Sequence, residues 1–173
     1  MIIAPVIAEF EDRGLMHFAA QPVTIARRAN GLGYLASPVT RRIAAEQEAP
    51  WHIVERLSME CAMDLDALAA VGVCAVSPAL QALEMIRVRG GGWTAALHGP
   101  RGALDQARWR QWCWPMLSAA SFIVVADRPG WRESEGIAAE LRFALGRNVP
   151  VFFMGLMPSS NCLDQGGKTN VGT

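Results

Sequence analysis

The sequence predicts an α/β fold of the doubly wound, flavodoxin- or Rossmann-like class, a three-layer sandwich around a mostly parallel sheet of four or five strands. Short apolar runs recur along the chain, each run ends at a polar or turn-forming break, and the stretches between the runs have helical periodicity. Continuous apolar runs of this length are typical of strands that are buried on both faces, as in a parallel sheet.

The apolar runs are the predicted strands, and in chain order they occupy residues 33–37, 72–77, 122–126 and 149–154. Helices are predicted between them, over 43–70, 103–120 and 134–145. Pro50 marks a break or a new start in the first helix, and we expect Pro115 to kink or end the second. In the third helix, Ser134 is the expected N-cap and Gly146 stands at the C-terminal cap position.

The predicted α/β domain spans residues 31–157, between an N-terminal extension (1–30) and a disordered tail (158–173). The extension has no clear periodicity, so it is either an added strand and helix or merely an upstream extension. The tail has the polar and glycine-rich composition of a disordered terminus. The irregular stretch 86–102 is long for a compact domain, which is typical of a mobile segment or of a lid over a site.

Charge and composition exclude several classes of protein. The chain has 16 Lys+Arg and 16 Asp+Glu, so it lacks the basic excess of a protein that binds a nucleic-acid polymer. It has no apolar run of about 18 residues and no basic flank before an apolar start, so we expect a cytoplasmic protein that does not bind membranes. Its histidines and cysteines lack metal-ligand spacing, and no phosphate-binding P-loop occurs, so no metal or cofactor is expected.

A ligand site is expected beyond the carboxyl ends of the first and third predicted strands, if the strand order is 2-1-3-4. The loops 37–42 and 127–136 then face each other, and the amides behind Ser134 can hold an anionic or hydroxylated group. Glu140 shares a helix face with Gly136 and Ala144 at the edge of the apolar stripe. Its carboxylate is either partly desolvated in the crevice, with a raised pKa, or solvated on the helix surface.

Two stretches resemble the nucleoside 2-deoxyribosyltransferase-like superfamily, in particular its DUF1937-type branch. The first is Tyr34-Leu-Ala-Ser-Pro38, and the second (122–144) combines an apolar strand, Pro-Gly-Trp, Ser-x-Gly, and Glu and Ala on a helix. The likeness extends over residues 33–154. It implies that Glu140 is the nucleophile. In this chemistry an N-glycosidic bond breaks through an oxocarbenium-like state, which a carboxylate stabilises or traps.

The predicted substrate-binding residues surround this glutamate. Tyr34, Ser37 and Ser134 are expected to bind sugar or phosphate oxygens. We expect Trp131 either to stack on a base or to lie on the surface as a loop aromatic. Arg41 and Arg42 are expected either to bind a 5′-phosphate or to form the solvated start of a helix. The remaining predicted substrate-binding residues are Ala36, Pro38, Asp127 and Gly136.

The chain departs from the superfamily at two acidic positions. Ser134 stands where the transferases have an aspartate, and Trp112-Cys-Trp-Pro115 occupies the region of a second acid, which leaves Asp127 or Glu133 to protonate a leaving base. Two functions therefore stay open. One is an N-glycoside hydrolase or glycosyltransferase acting on a nucleoside or nucleotide, and the other is a non-catalytic nucleotide-binding or sensing module. The resemblance also implies a homo-oligomer, in which the tryptophans of 109–114 lie in an interface or in the core.

Overall fold

The computed structural model of the protein describes residues 2–45, 50–88 and 106–155. Its helices are α1 (Ala4–Phe10), α2 (Pro22–Arg28), α3 (Val39–Ala45), α4 (Pro50–Ala69), α5 (Pro78–Val88), α6 (Gln106–Ala119) and α7 (Glu135–Gly146). Its strands are β1 (Met16–Ala20), β2 (Gly33–Ala36), β3 (Ala75–Val76), β4 (Phe122–Ala126) and β5 (Val151–Met154). Short 3-10 turns occupy Glu11–Arg13 and Trp131–Glu133.

The five strands form one parallel sheet in the order β1-β5-β4-β2-β3. The predicted doubly wound α/β class is therefore confirmed, and the four predicted strands have the order 2-1-3-4. β2 and β4 are paired from Gly33 with Phe122 to Ala36 with Val125, so their carboxyl ends lie side by side. Within the N-terminal extension, β1 pairs with β5 and becomes an outer strand of the sheet.

Both faces of the sheet are covered by helices, which explains the continuous apolar strands. On one face, Ile123 and Val125 of β4 pack in a cluster with side chains of α1 and α7. On the other face, Phe122 and Val124 pack with Ile25 of α2 and with the end of α4. Every residue of β4 is buried because its side chains alternate between these two layers.

Several boundaries differ from the prediction, among them the following three. β3 has only two residues, against the six predicted from the apolar run 72–77. α6 continues through Pro115 to Ala119, because Leu117 and Ala120 are buried in the core and this packing offsets the one hydrogen bond that a proline removes. The residue with left-handed backbone after α7 is Asn148 (φ 59°), two residues beyond Gly146. The predicted tail, and the predicted loop beyond Val88, lie outside the described residues.

Gly33 shows how tightly β2 lies against its neighbours. A Cβ atom at this position would lie 2.5 Å from ring carbons of Phe122 and 3.1 Å from the Cβ of Ala75. We expect Gly33→Ala to lower the free energy of unfolding by about 1–3 kcal/mol, as overpacked core positions do. Urea unfolding measures this loss.

Gly146→Ala is the matched control, because an added Cβ there meets nothing within 4 Å. We expect this control to leave the free energy of unfolding unchanged or to raise it by at most about 1 kcal/mol. Equal stability of the two variants would contradict the tight packing around Gly33.

Candidate active site

A cavity of about 440 Å³ lies at the carboxyl end of β2. Residues 34–37 and the start of α3 form one side, α5 and α6 form a second, and the segment 133–140 closes it. This segment follows β4 in the chain, so the cavity occupies the place where the loops after β2 and β4 meet. Its position agrees with the rule that open parallel sheets bind ligands beyond their carboxyl ends.

Inside the cavity, the Tyr34 hydroxyl donates a hydrogen bond of 2.6 Å to Oε1 of Glu140. Tyr34 is fixed in β2, and Glu140 is half-buried on α7. Burial raises the pKa of Glu140 to about 7, although the hydrogen bond from Tyr34 lowers it. Burial and the neighbouring carboxylate hold the pKa of Tyr34 well above its ordinary value, so the phenol remains a donor. The carboxylate is therefore oriented by one partner and incompletely ionised near neutral pH.

Cys113 of α6 is the third titratable group at this point of the cavity. Burial, followed by the charge of Glu140, raises the pKa of its thiol to about 11, and a hydrogen bond with Tyr34 opposes this rise. The thiol is therefore protonated at neutral pH. Because only the thiolate is nucleophilic, Cys113 does not compete with Glu140 as a nucleophile.

The amino end of α7 is capped as the sequence predicts. The Ser134 hydroxyl oxygen accepts a hydrogen bond of 3.3 Å from the backbone N–H of Ile137. Ser134, Gly136 and Glu140 all line the cavity from this segment. The cap fixes the first turn of α7, and through it the position of Glu140 one turn further on.

The structure brings seven of the predicted site residues together. Those that line the cavity are Tyr34, Ala36, Ser37, Arg41, Ser134, Gly136 and Glu140. Pro38 lies instead beside a separate, smaller crevice with Arg42 and Glu60. Asp127 is exposed and is not part of the described cavity wall.

The expectation that Trp131 stacks on a base is wrong. The indole is only 7% exposed and belongs to the core, where its ring lies 5.5 Å from that of Phe153. The surface alternative for this residue is wrong as well. Gly130, with a left-handed φ of 86°, precedes it and turns the chain so that the ring enters the core.

Arg41 and Arg42, which the sequence treats alike, have different surroundings. Arg41 is exposed at the rim of the cavity. Arg42 is buried and binds both carboxylate oxygens of Glu60 on α4, with Nη2 3.1 Å from Oε1. Burial alone would raise the pKa of Glu60, but Arg42, Arg128 and Arg56 hold it below its ordinary value.

A second ion pair joins α4 to the turn after β4. Arg128 donates to both carboxylate oxygens of Asp64, at 2.6 and 3.1 Å. Bidentate pairs of this kind fix geometry as well as charge. Arg42 and Arg128 therefore position the two loops that form the cavity, and neither lines it.

The wall that α5 and α6 supply was not predicted from the sequence. Trp109, Cys113 and Leu117 line the cavity at spacings of four residues, and Arg110 and Trp114 line it beside them. That spacing marks one helix face and was visible in the sequence. The direction in which the face points depends on how α6 packs against α5 and α7, which the sequence does not state.

Within the described ranges, no group of three His, Cys, Asp or Glu side chains is arranged to hold a metal ion. The same ranges contain no helix with the length and apolarity needed to cross a membrane. A family model described as a domain of unknown function (DUF1937) matches residues 31–156. No curated protein and no solved structure matches the chain.

Proposed function

The chain belongs to the DUF1937 family, a domain of unknown function, and we propose that it is an N-glycoside hydrolase or glycosyltransferase acting on a nucleoside or nucleotide through Glu140. The observation that carries the proposal is the hydrogen bond of 2.6 Å between Tyr34 and Glu140 inside the cavity. An oriented, partly desolvated carboxylate in a cavity is the group that glycoside cleavage requires.

The proposed step is attack or electrostatic stabilisation at the anomeric carbon. Cleavage of the C1′–N bond leaves positive charge on C1′ and the ring oxygen, and the Glu140 carboxylate stabilises this charge or bonds to C1′. Tyr34 holds Oε1, which leaves the other oxygen of Glu140 for the sugar. Water completes hydrolysis, and a second base completes transfer.

The remaining polar residues of the cavity suit the rest of such a substrate. Ser134 lines the crevice, and its hydroxyl, whose oxygen accepts the cap hydrogen bond, can still donate to a sugar oxygen. Ser37 lines the crevice as well, but its hydroxyl oxygen is buried. Arg41 is an exposed cation at the rim and can bind a 5′-phosphate. The volume of about 440 Å³ is in the range of pockets that bind small molecules.

A binding or sensing module is the second candidate, and one observation favours it. Ser134 occupies the position where the superfamily resemblance implies an aspartate, and its hydroxyl is used as a helix cap. A site of this kind can retain a nucleotide without protonating its base.

The proposal is tested by incubating the protein with a panel of nucleosides and 5′-monophosphates and measuring the free base by chromatography. We expect release by the native protein and by Glu55→Gln, a control on the exposed face of α4, but none by Glu140→Gln. Release that survives Glu140→Gln would remove the proposed nucleophile. A ligand-induced rise in melting temperature without base release would support the binding module instead.

The pH dependence of base release tests the role of Tyr34. Because the ionised carboxylate is the active form, kcat/KM should rise with pH around the Glu140 pKa of about 7. Tyr34→Phe removes a hydrogen bond that lowers this pKa. We therefore expect the midpoint of the rise to move to higher pH. If Tyr34→Phe leaves the midpoint unchanged, the rise of kcat/KM with pH is not caused by the ionisation of Glu140.

A further inference from the structure

Two carboxylates of α4 each bind an arginine from one of the two segments that frame the cavity. Glu60 binds Arg42 of α3, and Asp64 binds Arg128 of the turn after β4. Glu60 and Asp64 are four residues apart, so they lie on one face of α4. Arg42 and Asp64 are buried, and Glu60 and Arg128 are half-buried. These four side chains form the α4 ion-pair network.

The two ion pairs of this network share Glu60. Nη2 of Arg128 donates to the backbone carbonyl oxygen of Glu60 at 3.4 Å, and its Nε lies 4.0 Å from Oε2 of the same residue. Arg56 contributes a further positive charge, with its Nη1 3.6 Å from Oε1 of Glu60. The segments after β2 and β4 are therefore held to α4 at one point, and their positions depend on each other.

The network holds the turn after β4 against the start of α3. A Cβ atom on Gly130 would lie 3.7 Å from Cγ of Arg41 and 3.8 Å from Cγ of Arg42, so the stems of both arginines lie beside this glycine. Neighbouring residues of a helix point about 100° apart. Arg42 points to α4, and Arg41 therefore points to a different side, where it lines the cavity.

Arg41 depends on this packing for its position. It is exposed at the rim, and within the described ranges no carboxylate is paired with it. A long side chain without a fixed partner has many rotamers, and only its stem is held, here by Gly130 and by the course of α3. The direction of the guanidinium is therefore set by the two segments that the network joins.

Resting on the proposed function, in which Arg41 binds a 5′-phosphate, we infer that the α4 ion-pair network positions Arg41 and thereby sets the preference for 5′-nucleotides over nucleosides. None of its four side chains lines the described cavity wall, so they are positioning residues and do not bind the substrate. A cation that is already held in place loses less freedom when the phosphate binds. Loss of the network therefore weakens binding of the phosphate, whereas the sugar at Glu140 keeps its contacts.

The full chain with Asp64→Leu and Arg128→Met tests the inference, because Glu60 keeps Arg42 and Arg56 in this variant. Apolar replacement of both partners of a buried ion pair often leaves stability unchanged, whereas removal of one partner leaves an unpaired charge. The probes are matched ribo- and deoxyribonucleosides of adenine, guanine and cytosine and their 5′-monophosphates. For a pair that is cleaved, we expect KM for the 5′-monophosphate to rise about 10-fold, with kcat and the KM for the nucleoside nearly unchanged.

An ion pair elsewhere supplies the matched control. Arg87 and Glu84 pair on the surface of α5, with Nη2 2.6 Å from Oε2, and neither lines the cavity. Glu84→Leu with Arg87→Met should leave every KM unchanged. Arg41→Gln should by itself raise KM for the 5′-monophosphate. In that background, Asp64→Leu with Arg128→Met should raise it no further, because both changes act on one contact.

The outcomes separate the inference from the proposed function. KM values unchanged by the double variant, an equal rise for the nucleoside, or a further rise in the Arg41→Gln background would overturn the inference and leave the proposed function standing. Base release from none of the probes would overturn both. If the double variant does not unfold cooperatively, Arg128→Lys replaces it. This variant keeps the charge but not the bidentate geometry, and we expect the same selective rise in KM at smaller size.

Discussion

Glu140→Gln is expected to abolish base release and, at pH 8, to make the protein more stable than its native form. The first effect follows from the loss of the ionised oxygen at C1′, and removal of a nucleophile of this kind lowers kcat by a factor on the order of 10³ or more. The second effect follows from the position of the carboxylate, which folding partly removes from water.

The sign of the stability effect depends on the two pKa values of Glu140. In the folded protein the pKa is raised to about 7, against an ordinary value of 4.5. Folding therefore favours the protonated carboxyl. The contribution to stability is fully present below the ordinary pKa and is lost as the pH rises to about 7. The difference corresponds to about 3 kcal/mol at pH 8.

Urea unfolding of the native protein and of Glu140→Gln at about pH 4.5 and pH 8 measures the effect. We expect the variant to gain about 3 kcal/mol over the native protein between these two pH values. Glu55→Gln, which changes an exposed carboxyl, should show no such gain. If Glu140→Gln changes the free energy of unfolding equally at both pH values, burial does not destabilise the ionised carboxylate of Glu140.

Glu60 makes the opposite contribution to the pH dependence. Its folded pKa is held below the ordinary value of 4.5, chiefly by Arg42. Its stabilisation is therefore present above that ordinary value and is lost as the pH falls through the folded pKa. The two glutamates together place the greatest stability between acid pH and neutrality, below the pH at which Glu140 is fully ionised. Activity and stability are thus expected to have different pH optima.

The parts of the fold that the sequence predicts well are those decided by local pattern. β4 is buried on both faces, and its sequence is an uninterrupted apolar run. Ser134 stands at the N-cap position, directly before the residues with helical periodicity. Both α7 and β4 were predicted to within a residue or two for this reason. β3 was predicted too long, because an apolar run shows burial but not how many residues find a partner strand.

The parts of the site that were missed depend on contacts between distant segments. Tyr34 and Glu140 were both predicted site residues, but their hydrogen bond joins positions 106 residues apart. It exists because β2 and β4 are neighbours. Trp131 was expected either to stack on a base or to lie on the surface, and the local motif does not reveal that its ring packs against Phe153 in the core. The wall of α6 was missed because the orientation of a helix face is a tertiary property.

The second large effect concerns the N-terminal extension, which lies outside the family match of 31–156. A chain that starts at residue 31 is expected not to fold cooperatively. It lacks Ile3 and Val6, which are fully buried, and Phe10, which is 5% exposed, all in the cluster with α7. Each such side chain contributes about 1.5–3 kcal/mol. It also lacks β1, so the hydrogen-bonding edge of β5 becomes exposed.

Removal of the N-terminal extension also affects the cavity, not only the core. The backbone N–H groups of Ile2 and Ile3 both donate to the carbonyl of Arg132, at 3.0 and 3.2 Å, two residues before the Ser134 cap. Because the Ile3 side chain is fully buried, Ile3→Ala should lower the free energy of unfolding by about 2–5 kcal/mol, whereas Val23→Ala, at a position 47% exposed, should change it by less than about 0.5 kcal/mol. Circular dichroism and urea unfolding measure these values.

A whole domain is stable by only about 5–15 kcal/mol, so the free energy lost on removing the entire extension is larger than the remaining core can offset. A fragment 31–173 with a cooperative transition at the native urea midpoint would show instead that the family-matched region folds alone, and that the extension merely covers it.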